Sequence, residues 1–166
     1  MTKFLLSVHV LAAILAIGPI AVAASMFPRY VRPPADDDGA RTAKLLHRIC
    51  RGYTVVGIAV PVFGVATGAQ MGVLTDAWLL ASIVLTAGAA ALLVLAILPR
   101  QERLMEGAGE SGSGSEPGSE SESESAAESE ARAGASRLAM VTGMFNLLWA
   151  IVVVLMIVRP GSTTGA

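Results

Sequence analysis

The sequence predicts an all-α membrane protein: four transmembrane helices in an antiparallel up-down bundle, with a disordered acidic linker between helices 3 and 4. Three observations carry this. Only 15% of the 166 residues are charged and the mean hydropathy is +0.64, whereas a soluble domain carries about 25% charged residues to cover its surface. Four apolar stretches are each long enough to cross a bilayer. The charges are also segregated, with six of the twelve Lys and Arg between Phe27 and Gly52 and eight of the thirteen acids between Glu106 and Glu130. The single cysteine, Cys50, excludes an internal disulfide.

The clearest span is residues 77–98, AWLLASIVLTAGAAALLVLAIL. As a helix it reaches roughly 33 Å, matching the ~30 Å hydrocarbon core of a bilayer. Trp78 suits the headgroup level at one end, and Pro99-Arg100 reads as the stop at the other. Residues 4–26 form the first span. Lys3, an apolar run and Ala21-Val22-Ala23 also resemble a cleavable signal, but the run exceeds a signal core of about 7–15 residues. The basic segment after it belongs on the cytoplasmic side, so the helix is read as retained. Pro19 bends it, and Pro28 and Pro33-Pro34 end it.

Residues 27–51 read as a basic loop carrying a short amphipathic helix from about residue 40, either separate from the second span or continuous with it. Residues 53–73 are the second span, kinked at Pro61, with Gly64, Gly68 and Gly72 spaced for close helix packing. The loop 74–76 is short enough to make spans two and three a tight antiparallel pair. Residues 99–137 follow, including the Gly/Ser/Glu stretch 107–136, which buries too little apolar surface to order itself. Residues 138–158 are the fourth span and 159–166 a polar tail. Ten of the twelve Lys and Arg fall in the first and third loops. The positive-inside rule then places 27–51 and 99–137 in the cytoplasm and both termini outside.

Polar residues inside a span are functional candidates by default. His9 and Asn146 are the two that stand out. His9 is a candidate haem ligand, but His47 lies towards the opposite face of the bilayer and cannot share its iron. The plainer reading is a histidine hydrogen-bonded to a neighbouring helix or water. Asn146, with Thr142 one turn earlier, must face the bundle interior, because an unpaired amide in lipid costs several kcal/mol. Ser82 and Thr86 of span three form a matching stripe, and the group reads as packing glue. His47 and Cys50, with Met140 and Met144, are weak soft-ligand candidates for copper. Arg48 and Arg51 oppose a cation there. No span holds a nucleophile–base pair or paired carboxylates, so no enzyme is expected.

The opening LLSVHVLAAILAIGP, the basic segment after span one, TVVGIAVPVFGVATG and the closing IVRPG resemble the bacterial inner-membrane proteins grouped as domain of unknown function 2269. The alanine-rich composition resembles actinobacterial proteins. The likeness rests chiefly on His9 and Arg159-Pro160 and covers the spans without the acidic stretch. It implies topology and no particular mechanism. A more distant similarity to copper-resistance membrane proteins, which open with a comparable helix, implies a metal role for His9. The leading reading is a non-enzymatic structural or accessory component of the bacterial cell membrane, embedded in lipid, with self-association or a membrane-protein partner and no nucleic acid. No cofactor is predicted. The alternatives are a haem- or copper-associated redox or transport protein using His9, and a small-solute transporter with Asn146 in its path.

Overall fold

The structure, a computed structural model, describes residues 2–32, 37–110 and 121–160. Every regular element among them is helical, as the sequence predicts. Helix α1 spans Thr2–Tyr30 and α2 spans Asp37–Met71. Helix α3, Ala77–Ala91, passes into a π-helical segment, Leu92–Ile97, and on into α4, Leu98–Glu110. Helix α5 spans Ser121–Val158. Four segments are long and apolar enough to cross a membrane: Leu6–Tyr30, Asp37–Met71, Ala77–Gly107 and Glu128–Val158.

Several boundaries differ from the expected ones. Pro28 does not end α1, which runs on to Tyr30. Of the two arrangements expected for the amphipathic segment, the continuous one is found: it joins the second span as one helix, with Pro61 inside it. Pro99 does not stop the third span. The π-helical turn just before it bonds Leu98 N–H to the Leu93 carbonyl, and this wider turn relieves the clash a proline ring makes with the preceding turn. The stretch 107–136 is helical at both ends, in α4 to Glu110 and in α5 from Ser121. Glu, Ala and Arg are good helix formers, Arg132 pairs with Glu128 one turn away at 3.0 Å, and Ala135 and Leu138 are buried in the core. The centre of that stretch, 111–120, Pro33-Pro34 and most of the tail, 161–166, lie outside the described residues.

The expected tight pairing of spans two and three is replaced by two others: α1 packs most extensively on α2, and α3 on α5. Helices α2 and α3 touch at the turn, where Leu79 fills the space over Gly68, and then diverge around an apolar cavity of about 160 Å³. The core cluster runs from Ala89 and Phe145 to the basic end, where Phe27, Leu46, Cys50, Ile97 and Leu138 are buried.

Candidate functional site

Three polar contact points join helices of the bundle, each a different pair. At the first, His9 of α1 lies against α2. Its Nδ1–H donates to the Val60 carbonyl at 3.1 Å, which fixes the tautomer and leaves Nε2 as the acceptor nitrogen. The ring reaches this carbonyl because residue 64 is glycine: a Cβ there would sit 2.8 Å from His9 Cε1. The Gly64, Gly68 and Gly72 spacing therefore does not form one common packing face. Gly64 admits His9, Gly68 admits Leu79, and Gly72 packs against nothing. Gly72 instead ends α2 in the left-handed region at φ +70°. There, the bonds Val73 N–H to Gly68 O and Gly72 N–H to Ala69 O close a Schellman turn.

The second contact point is Asn146 of α5, whose Nδ2 donates to Ser25 Oγ of α1 at 3.0 Å. The expected partners on α3 are engaged elsewhere or apart. Ser82 donates to the Trp78 carbonyl of its own helix at 2.8 Å, and Thr86 lines the apolar cavity. Ser82 adopts this back-bond because a hydroxyl in an apolar helix can satisfy itself one turn back. Asn146 Oδ1, Thr142 Oγ1 and Trp149 Nε1 are buried and find no hydrogen-bond partner among the described residues. Their spacing puts all three on one face of α5. Replacing Asn146 by Leu removes the inter-helix bond and one orphaned acceptor together, so a stability loss of only about 0.6–1.7 kcal/mol is expected in detergent unfolding.

The third contact point was not legible in the sequence. Gln101 of α4 is 0% exposed and bridges to α2: His47 Nδ1–H donates to its Oε1 at 3.0 Å, and its Nε2 donates to Cys50 Sγ at 3.8 Å. His47 Nε2 also lies 3.5 Å from Glu102 Oε1. Sequence reasoning ended the span at Pro99, which left Gln101 in a loop. His47 and Cys50 are thus brought together, but not with the methionines. Met140 is 73% and Met144 48% exposed on the outer surface of α5. The four do not converge, and no cluster of three or more His, Cys, Asp or Glu suited to a metal occurs among the described residues.

The sequence matches the family described as predicted integral membrane protein, DUF2269, over residues 3–160. The chain belongs to the DUF2269 family. Comparison with curated proteins and with solved structures finds no match. The matched region of this DUF2269 protein includes all three contact points and the terminal Arg159-Pro160. Arg159 closes α5 at φ 44°, with its N–H on the Leu155 carbonyl at 3.0 Å, and its guanidinium lies 5.6 Å from the Trp78 ring centroid. Trp78 Nε1 in turn donates to Asp76 at 3.1 Å. The end of α5 is thereby tied to the start of α3 by a cation–π contact.

Proposed function

We propose that this DUF2269 protein is a non-enzymatic accessory component of the bacterial cell membrane. Both termini are outside, and residues 27–51 and 99–137 lie on the cytoplasmic side. The observation that carries the reading is the engagement of His9 with the Val60 carbonyl across the α1–α2 contact. Asn146 is engaged in the same way with Ser25 across α1–α5. In lipid, helices are held by close packing and such polar bonds rather than by the hydrophobic effect. A bundle fastened at its polar residues is suited to presenting surfaces to lipid, to a second copy or to a membrane partner.

A second reading has one observation in its favour. A histidine whose Nδ1–H is held by a backbone carbonyl presents Nε2 as ligating histidines do, so His9 could serve as the sole protein ligand of a haem or of copper. An absorption spectrum and metal analysis of detergent-purified protein separate the two. The accessory reading expects no Soret band and no stoichiometric metal. A reducible Soret band or bound copper, lost in His9→Ala, would overturn it.

A further inference from the structure

We propose that the basic end of the bundle is a binding surface for anionic phospholipid headgroups, formed by exposed arginines on three of the membrane-crossing segments. Arg51 precedes the apolar half of α2, Arg100 and Arg103 follow the π-helical segment, and Arg137 opens the apolar half of α5. Contacts between helices bring these positions to one end. Gln101 bonds His47 and Cys50, so Arg100 and Arg51 flank the same α2–α4 contact. Leu104 packs within 3.1 Å of the Cβ position of Gly134, which sets Arg103 and Arg137 on either side of the α4–α5 contact. All four are exposed, and none makes an ion pair with a described residue.

Depth decides the occupant. Among the residues nearest the apolar segments at this end, the one carboxylate is Glu102, and it faces His47. The other described acids at this end stand farther out along the helices. Glu106 is about 4.5 Å beyond Arg103, Glu128 and Glu130 about 10–14 Å beyond Arg137, and Asp37 and Asp38 about 20 Å before Arg51, at 1.5 Å rise per residue. Because α2, α4 and α5 continue as helices past the apolar region, they carry these acids away from the arginine layer. The layer nearest the bilayer is cationic, and the acids form a second layer outside it. Phosphate oxygens at headgroup depth accept bidentate hydrogen bonds from arginine forks, whereas Glu128 and Glu130 lie farther out along α5.

The test is native mass spectrometry of the full chain in detergent, titrated in parallel with phosphatidylglycerol and phosphatidylcholine of equal chain length. Phosphatidylglycerol is expected to be retained preferentially, with the preference falling about fivefold for each of Arg51→Gln and Arg100→Gln. Arg159→Gln, at the other end of the bundle, should leave it unchanged. Equal retention of the two lipids by the wild-type protein, or a preference that survives both substitutions, would overturn the proposal. So would a preference that emerges only after Glu116, Glu120, Glu122 and Glu124 are changed to Gln, because the chain's own acidic segment would then be the occupant.

Discussion

Gly64→Leu is expected to lower the unfolding free energy by about 3 kcal/mol, read as an earlier midpoint in detergent unfolding followed by circular dichroism. A Cβ alone would meet His9 Cε1 at 2.8 Å, closer than carbon atoms approach in folded proteins, and a full isobutyl group occupies the volume of the imidazole itself. The ring cannot simply swing aside, because doing so breaks its bond to the Val60 carbonyl and leaves a buried donor unpaired in lipid. The α1–α2 contact is the most extensive in the bundle, so separating it at this point also loosens the packing along its length. Gly72→Leu offers a contrast. Nothing lies near that Cβ, and its cost comes only from the left-handed backbone at φ +70°, about 1–2 kcal/mol.

Gln101→Ala is expected to cost about 2–3 kcal/mol. The side chain is wholly buried, accepts from His47 and donates to Cys50. Truncation therefore removes two bonds and leaves the His47 donor facing a void. The asymmetry between losing a bond and stranding a partner is what makes the effect large. Glu102→Gln, one residue along, is expected to cost less than about 1 kcal/mol, since its carboxylate is half exposed and screened by solvent. A Gln101→Ala midpoint no lower than that of Glu102→Gln would show that the α2–α4 bridge does not hold the basic end together.

The membrane class and the four spans are legible because length and apolarity alone suffice to recognise a bilayer-crossing helix. Their ends are less so. Pro99 obeys the local rule for a helix stop, but that rule assumes α-helical spacing, and the π-helical turn at Leu92–Ile97 suspends it. Composition alone reads the acidic stretch as unstructured, while its Glu–Ala–Arg portion gains order from the Glu128–Arg132 pair and the burial of Ala135. His9 and Asn146 were recognisable as polar residues in apolar runs, but their partners were not. A backbone carbonyl at Val60 leaves no mark in a sequence, and Ser25 sits 121 positions from Asn146. Gln101 was missed for the same reason as the helix end. Met140 and Met144 share a helix face, but nothing in their spacing reveals that the face is exposed.

The central claim is that His9 is a fastening between α1 and α2, and a double-mutant cycle on His9 and Gly64 tests it most directly. Unfolding free energies would be measured for His9→Ala, Gly64→Ala and the pair together. With the ring removed, the space it filled can take the new methyl group. Gly64→Ala should therefore cost about 1 kcal/mol or more in the wild-type background and little or nothing in His9→Ala, a coupling of about 1 kcal/mol or more. Costs that simply add, within about 0.3–0.5 kcal/mol, would mean that the ring does not rest on Gly64, and would contradict the account.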